Sequence, residues 1–390
     1  MRTRSVLFVV LILCLALVGC GGNAKQDNVI KIGWLGPQTG DSALWGQAEL
    51  ATVQMMAEDY NKAGGIEVAG KKYQIQIVPY DDKGDSVEAV NVAKRLTSQD
   101  HVVAIVGAQG SGEAIAIAPI VNEAKVPTVA STATNPKVTV TESGTVNQYM
   151  FRACFTDPYQ GKVAAYFAYQ RLAKRNAAIF MTIDDPYSTG LAQYFKENFE
   201  KAGGKIVATE NYTSGEKDFR APLTKIKNAN PDIIFIPAYY NDVALIAKQA
   251  RDLGIKTLLL GGDGWPSENV IDLAGGPGGA LEGCMFVNHL DMQGDLAKPM
   301  RDEYKAKYGK NAELNSYMVH DALLMVIESI KKAGSLDGEK VMKALEACDL
   351  EGITGHIVIG PQHDPVGKTA WLIKIEGPVM RLEEQFSAKD

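Results

Sequence analysis

The chain has 390 residues, of which 46% are hydrophobic and 22% are charged, as is usual for a globular protein. Its formal net charge is −6, and no basic stretch contains the interleaved aromatic residues that suit a nucleic-acid surface. The composition therefore excludes a nucleic-acid-binding protein. The length exceeds what one hydrophobic core usually holds, so two lobes are expected.

The first 20 residues predict the compartment. Two arginines precede an uncharged run over residues 6–18, which is too short to span a bilayer and fits the apolar core of a secretory signal. The run ends in LVGC at residues 17–20, which resembles the lipobox of bacterial lipoproteins. We therefore expect a signal peptide over residues 1–19, a lipid on Cys20 and a flexible tether over residues 20–28. The protein would then be extracytoplasmic and held to the membrane by this lipid alone.

The remaining cysteines leave two alternatives open. Cys14 would be removed with the signal, so that Cys154, Cys284 and Cys348 remain. In the first alternative, two of these three cysteines form a disulfide and the third is a free thiol. In the second, all three are small buried residues. Their spacing is too wide for a zinc site, and no metal site is expected.

From residue 29 the chain alternates strand-like and helix-like segments. The first set consists of strands at 29–35, 73–80, 102–106 and 126–130, with helices at 42–62, 86–98 and 111–124. The second set consists of strands at 177–183, 205–212, 232–236 and 257–260, with helices at 159–174, 189–202, 217–228 and 242–253. This order is typical of doubly wound parallel sheets. A mostly helical region at 295–347 and strands at 356–359 and 369–375 complete the chain.

Polar and aromatic residues follow the predicted strands. In open parallel sheets, ligands lie beyond the carboxyl ends of the strands. The loops that follow strands here are residues 107–112, 131–135, 184–187, 237–240 and 261–265. The first two loops offer hydroxyls and backbone amides at helix starts, which can donate hydrogen bonds to a carboxylate. The last three loops offer tyrosines and Asp263, and the Asp263 carboxylate can pair with an ammonium. The five loops together therefore suit a zwitterion, although any single serine or threonine is as easily an ordinary cap.

The motifs for catalysis are incomplete. The GKT at residues 367–369 lacks the glycine that a phosphate-binding loop needs at residue 362. Ser111 lacks the glycine at residue 109 that a nucleophile elbow requires. An extracytoplasmic hydrolase would need a nucleophile and a base, and no such pairing is evident. We expect no enzyme activity, no catalytic residue and no cofactor.

Four short blocks carry a family resemblance. They are NKAGGI at residues 61–66, YDD at 80–82, GEKDF at 215–219 and QARDLGI at 249–255. With them the chain, from about Val29 to its C-terminal region, resembles the leucine/isoleucine/valine-binding proteins, which are the type I periplasmic binding proteins of branched-chain amino acid ABC transporters.

The resemblance implies an α/β fold of two Rossmann-like doubly wound lobes joined by three hinge strands. The crossings are expected near residues 151–155, 283–287 and 355–360. The first lobe would comprise residues 29–152 and 286–357, and the second lobe residues 153–285 and 358–390.

The resemblance also implies which residues bind the ligand. Ser111 would hold the ligand carboxylate, together with the segment of Thr132, Ala133 and Thr134. Trp45 of the first lobe and the second-lobe residues Tyr187 and Tyr239 would cover the ligand, and Asp263 would bind its ammonium. Trp45 and Asp263 stand where tyrosine or glutamate is found in other members, which leaves the identity of the ligand open.

The expected function is that of a lipid-anchored, monomeric solute-binding protein. It would capture an amino acid, branched-chain or otherwise aliphatic, between closing lobes and deliver it to the permease of an ABC transporter. Two alternatives stay open. In the first alternative, the ligand is an amide or urea-like solute. In the second, the closed form signals to a receptor instead of serving transport.

Overall fold

The computed structural model describes residues 28–386. Its strands are β1 (Val29–Gly36), β2 (Ile66–Val68), β3 (Lys71–Asp81), β4 (Ala104–Val106), β5 (Thr128–Ala130), β6 (Met150–Arg152), β7 (Asn176–Thr182), β8 (Lys205–Tyr212), β9 (Ile233–Ile236), β10 (Leu258–Gly261), β11 (Met285–Asn288), β12 (Asp349–Gly352), β13 (Gly355–Ile359), β14 (Pro365–Val366), β15 (Ala370–Glu376) and β16 (Val379–Phe386). Its α-helices are α1 (Ala43–Lys62), α2 (Ser86–Ser98), α3 (Ser111–Ala124), α4 (Asp157–Tyr166), α5 (Pro186–Lys201), α6 (Arg220–Asn228), α7 (Tyr240–Asp252), α8 (Val270–Leu273), α9 (Lys298–Tyr308), α10 (Leu314–Ala333) and α11 (Gly338–Glu346).

The predicted signal peptide, Cys20 and the tether up to residue 27 lie outside the described residues. Within residues 28–386, no helix has the length and apolar character needed to cross a bilayer.

The first lobe is built on a six-stranded sheet with the order β2-β3-β1-β4-β5-β6. Neighbouring strands are parallel, except that β2 is antiparallel to β3. Successive residues of β1 face opposite sides of the sheet. Ile32 and Trp34 pack with α1, α10 and α11, whereas Leu35 packs with α2 and α3. Since helices cover both faces, the central strand β4 is apolar and buried throughout.

The second lobe is built on a seven-stranded sheet with the order β16-β15-β11-β10-β9-β7-β8. Strands β7 to β11 are parallel, and β15 and β16 add an antiparallel edge. Ile179 and Phe235 pack with α4 and α5, while Phe180 and Ile236 pack with α6, α7 and α8. The carboxyl ends of the parallel strands of the two sheets are thus available for loops that meet between the lobes.

The chain passes between the lobes after β6, after β11 and after β14, which confirms the expected α/β fold class of two lobes joined at three crossings. Residues 286–288 pair within the second sheet. His363 stacks on Phe151 of the first lobe with ring centroids 4.0 Å apart, and Asp364 pairs with Arg152 at 2.6 Å. The predicted division, with residues 29–152 and 286–357 in the first lobe and residues 153–285 and 358–390 in the second, stays a prediction.

The C-terminal part of the helix predicted at residues 159–174 is not α-helical in the structure. The α-helix ends at Tyr166 and continues as a π-helical segment, Phe167–Arg171. The wider turn buries Phe167, and the Arg175 guanidinium donates to the carbonyls of Tyr169 and Lys174 at 2.8 and 2.9 Å. The predicted helix is therefore α-helical only as far as Tyr166.

The three cysteines of the described region are free and buried. Cys154 and Cys284 are fully enclosed, and burial raises the pKa of the Cys154 thiol to about 12. No disulfide links the described residues, so their cysteines are small core residues.

One carboxyl group lies inside the first lobe. Glu49 of α1 is fully buried; Ser131 Oγ donates to its Oε1 at 2.7 Å, and Trp34 Nε1 donates to its Oε2 at 3.4 Å. Burial outweighs these hydrogen bonds and raises the pKa of Glu49 from 4.5 to about 8. The folded protein therefore retains a proton that the unfolded chain releases above pH 4.5.

We predict that Glu49→Gln flattens the pH dependence of stability. In the native protein the contribution of Glu49 is greatest below the unfolded pKa of 4.5 and is lost as pH rises through about 8. The loss amounts to roughly 1.4 kcal/mol per pH unit inside that window. The glutamine keeps an acceptor for Ser131 and does not titrate.

Thermal unfolding at several pH values between about 5 and 8 measures this effect. The midpoint should fall less with pH in Glu49→Gln than in the native protein, and the exposed Glu123→Gln should behave as the native protein does. Parallel curves for Glu49→Gln and the native protein would show that Glu49 does not titrate in this window.

Candidate functional site

A cavity of about 370 Å³ lies between the two lobes where the parallel strands end. The first lobe lines it with loops that follow β1, β3, β4 and β5, and the second lobe with loops that follow β7, β8, β9 and β10. Each of the five loops chosen by the strand-end argument contributes at least one lining residue. The two sheets thus bring together residues as far apart in sequence as Pro37 and Gly264.

Six of the eight predicted binding residues line the cavity. They are Trp45, Ser111, Thr132, Tyr187, Tyr239 and Asp263. Ala133 and Thr134 are buried behind it. The arrangement brings the predicted residues of both lobes to one place, and their role in binding stays a prediction.

Asp263 is the most firmly held acid of the cavity. Its side chain is only 5% exposed; Gln160 Nε2 donates to Oδ1 at 2.9 Å, and His289 Nε2 lies 2.8 Å from Oδ2. The Asp263 backbone N–H donates in turn to Gln160 Oε1 at 2.9 Å. Burial lowers the pKa of His289, so the neutral ring donates from Nε2. Each carboxylate oxygen keeps a free lone pair for a donor in the cavity.

The glycines on either side of Asp263 are required by close packing. A Cβ at Gly262 would lie 2.2 Å from Gln160 Oε1, and a Cβ at Gly264 would lie 2.7 Å from the Ala238 carbonyl oxygen. The Gly264 N–H donates to the Tyr187 hydroxyl at 3.1 Å. The loop therefore fixes both the Asp263 carboxylate and the Tyr187 ring.

An aromatic wall of three rings spans the two lobes. The rings of Tyr187 and Tyr239 stack with centroids 5.1 Å apart and an interplanar angle of 17°. Trp45 of the first lobe meets Tyr239 edge-on at 5.8 Å, and its Nε1–H donates to the Pro266 carbonyl of the second lobe at 3.0 Å. Burial raises the pKa of both tyrosines well above 10, so the wall is neutral and suits an aliphatic group.

The polar wall of the first lobe begins at the N-terminus of α3. Ser111 Oγ accepts a hydrogen bond from the Asn135 backbone N–H at 3.2 Å, which leaves the serine hydrogen free to donate. Thr132 Oγ1 donates to the Gln109 carbonyl at 3.0 Å, so its hydrogen is already used. Gln109 also lines the cavity, and its buried Nε2 has no hydrogen-bond partner within the described structure. Ser111 therefore offers a free side-chain donor for a carboxylate, and Gln109 carries an unused one close by.

Arg152 explains why Ala133 does not reach the cavity. Its guanidinium is fully buried and donates to the Ala133 and Asn135 carbonyls at 2.7 and 2.9 Å and to Thr139 Oγ1 at 3.0 Å. Its Nε pairs with Asp364. This cation holds the loop after β5 in place and directs its carbonyls away from the ligand side.

The cavity is lined by eight acids: Asp41, Asp82, Asp85, Glu113, Asp184, Asp185, Asp242 and Asp263. No lysine, arginine or histidine is among the described residues that line it. Such a surface repels anions that lack a compensating positive group.

A family model described as periplasmic binding protein matches residues 29–378. This chain belongs to the periplasmic binding protein family. Its fold and its relatives are those of solute-binding proteins rather than enzymes.

Individual relatives agree with the family. The chain is 29% identical to a leucine-, isoleucine-, valine-, threonine- and alanine-binding protein of Pseudomonas aeruginosa, over 88% of this chain and 89% of the relative. It is 30% identical to a Leu/Ile/Val-binding protein homolog of Brucella melitensis, over 85% and 86%. The expected resemblance to leucine/isoleucine/valine-binding proteins is thereby confirmed.

Solved structures of relatives share the fold. The leucine-binding protein LivK of Thermotoga maritima superposes with a TM-score of 0.83 at 32% identity, covering 91% of this chain and 98% of that one. LivJ of Streptococcus pneumoniae, solved with isoleucine, superposes with a TM-score of 0.82 at 29% identity, covering 91% and 99%. This periplasmic binding protein is therefore similar, over nearly all of its described length, to substrate-binding proteins of branched-chain amino acid transporters.

Several residues of the site were not predicted. Asp82 directly follows β3 and His289 directly follows β11, so their places after strands were a usable signal. Gln160 lies in α4 and Arg152 ends β6, and neither has a sequence signal that points to the cavity. Only the packing of distant segments shows that they hold Asp263 and the loop after β5.

We predict that Trp45→Phe weakens ligand binding by roughly fivefold. The phenylalanine keeps an apolar ring against Tyr239 and removes the N–H that reaches Pro266 in the other lobe. Loss of one hydrogen bond that stabilises the closed lobes costs about 1 kcal/mol.

Calorimetric titration and the dissociation rate of the ligand measure this effect, which should appear mainly as faster release. Trp371→Phe, a change in β15 at a residue that does not line the cavity, is the control and should bind as the native protein does. Unchanged release from Trp45→Phe would mean that the bond to Pro266 does not hold the lobes together.

Proposed function

We propose that this periplasmic binding protein captures an amino acid between its lobes and delivers it to the permease of an ABC transporter. The observation that carries the proposal is the buried Asp263, which is oriented by Gln160 and His289 with lone pairs left over. An α-ammonium group is a donor of the right charge for such a carboxylate.

The first lobe offers the complementary end. The Ser111 hydroxyl, the Gln109 amide and the backbone N–H groups at the start of α3 suit a carboxylate. A zwitterion placed between these donors and Asp263 satisfies both lobes at once. The names of the relatives, which include amino-acid-binding proteins, support the same ligand class.

Contacts between the lobes support closure on the ligand. Trp45 reaches Pro266, the Asn135 side chain donates to the Pro186 carbonyl at 2.7 Å, and the Tyr240 hydroxyl donates to the Asp41 carbonyl at 2.8 Å. These bonds require the lobes to be close. A ligand drives closure by binding the closed form better than the open one.

We infer that the protein acts at the outer face of a membrane, with the lipid on Cys20 as its anchor. The signal-like residues 1–19 and the cysteine after them support this location. Two alternatives can be distinguished by experiment. An amide or urea-like ligand would not need the charge of Asp263. A sensor would bind its ligand without supporting uptake.

We predict that Asp263→Asn weakens amino-acid binding by about 2–5 kcal/mol, which is on the order of thirty-fold or more. The asparagine keeps the shape and removes the charge, and His289 can accept from the new amide in its other tautomer. Ser111→Ala should cost less, about 1–3 kcal/mol, because the carboxylate keeps its backbone donors.

Calorimetric titration of both variants measures these losses, with the ligand first found by a thermal-shift screen of amino acids and amides. Equal affinity of Asp263→Asn and the native protein would contradict an ammonium at this position and favour an amide or urea-like solute.

We predict that Cys20→Ala releases the protein from the membrane. A diacylated or triacylated cysteine places enough acyl chain in the bilayer for stable anchoring. No helix of residues 28–386 is long and apolar enough to cross the bilayer in its place. Membrane fractionation and mass spectrometry of the N-terminal peptide measure the outcome. An unlipidated native protein that still fractionates with membranes would contradict the lipobox.

A further inference from the structure

Three carboxylates face each other where the lobes meet. Asp82 and Glu113 belong to the first lobe, Asp185 belongs to the second, and all three line the cavity. Gly112, which precedes Glu113, is so close to the second lobe that a Cβ there would lie 3.8 Å from Pro186 Cδ, next to Asp185. Closure of the lobes therefore brings like charges together.

These three carboxylates have no counter-cation. No lysine, arginine or histidine of the described residues lies within ion-pair distance of them. The rim acids differ, because Lys217 Nζ lies 3.9 Å from Asp41 and 3.5 Å from Asp242. The unpaired acids are thus at the inner part of the cavity, where water screens them least.

The electrostatics show that the three groups interact. Burial is the main cause that raises the pKa of Asp82 and of Asp185 to about 7, and the charge of Glu113 raises both further. Burial likewise raises the pKa of Glu113. A carboxylate in such a place is stabilised by a proton, by hydrogen-bond donors or by a positive group.

Asp82 shows which kind of group is missing. Its side chain is fully buried; Oδ1 accepts from the Gly84 N–H at 2.9 Å, and Oδ2 has no hydrogen-bond partner within the described structure. Asp185, in contrast, accepts from the Tyr187 and Ser188 N–H groups as the cap of α5. The unpartnered oxygen of Asp82 lacks a hydrogen-bond donor, which a guanidinium or a primary ammonium group carries and a quaternary ammonium does not.

A metal ion does not fit the acids of the cavity. Within residues 28–386, no three histidine, cysteine, aspartate or glutamate side chains are arranged to hold one. The missing positive group is therefore an organic cation that bears N–H donors.

We propose that the ligand is a basic amino acid whose side-chain guanidinium or ammonium group lies among Asp82, Glu113 and Asp185. The inference rests on the proposed function, because it uses Asp263 for the α-ammonium. The apolar stem of such a side chain would pack along the aromatic wall while its charged end reaches the acids. A basic side chain thus replaces the aliphatic one that the family resemblance led us to expect.

The test compares ligands that differ by one group. The full chain, purified in detergent, is titrated calorimetrically with L-arginine, L-lysine, L-leucine, L-citrulline and agmatine. Citrulline has nearly the shape of arginine without its side-chain charge, and agmatine lacks the carboxylate. Arginine or lysine should bind on the order of thirty-fold more tightly than citrulline or leucine.

The double variant Asp82→Asn with Glu113→Gln tests the acids themselves. It should lose the preference for arginine or lysine over citrulline and leucine, so that the ratio of their affinities falls to within about threefold. Glu142→Gln, which removes an exposed charge outside the cavity, is the matched control. Circular dichroism checks that the double variant folds. If the double variant does not fold, Glu113→Gln alone is titrated, and it should show a smaller loss of the preference for the basic amino acid.

The outcomes separate the inference from the proposed function. If leucine or citrulline binds as tightly as both basic amino acids and Asp263→Asn weakens that binding, the inference is wrong and the proposed function stands. If agmatine binds as tightly as arginine, or no amino acid binds, both are wrong.

Discussion

The central constraint on this structure is the burial of carboxylates between two lobes that offer them few cations. Parallel sheets place the carboxyl ends of their strands at one edge, and here both sheets present acid-rich loops at that edge. Asp263 is compensated by neutral donors, and Asp41 and Asp242 by Lys217. The remaining inner acids depend on what fills the cavity, so the energetics of closure and of binding cannot be separated.

The rest of the site is built to stay rigid under this constraint. Arg152 ties the loop after β5 to Asp364, next to a chain crossing, through four hydrogen bonds of its guanidinium. Gln160 bridges the side chain and backbone of Asp263. Because both supports are buried and hydrogen-bonded within the protein, a ligand would not have to order them on binding.

The sequence was sufficient for the fold and for the edge of the sheets at which the cavity lies. Apolar strands alternating with helices identified both sheets, and the loops after those strands include Ser111, Tyr187 and Asp263. It was not sufficient for Thr134 or Gln160. Whether a loop residue points outward or a helix residue points inward is decided by partners far away in the chain, such as Arg152, and periodicity carries no information about them.

In the proposed site, the unpaired inner carboxylates would select for a basic side chain over a neutral one without any steric block. A neutral side chain would satisfy Asp263 and Ser111 but leave Asp82 Oδ2 buried without a donor, and the unmade hydrogen bond would count against that ligand. A site that holds unpartnered polar groups rejects a ligand lacking the matching donor far more strongly than an apolar pocket rejects a misfit methylene. Repulsion between Glu113 and Asp185 acts in the same direction, because it opposes closure around any ligand that brings no positive charge to the place where the lobes meet.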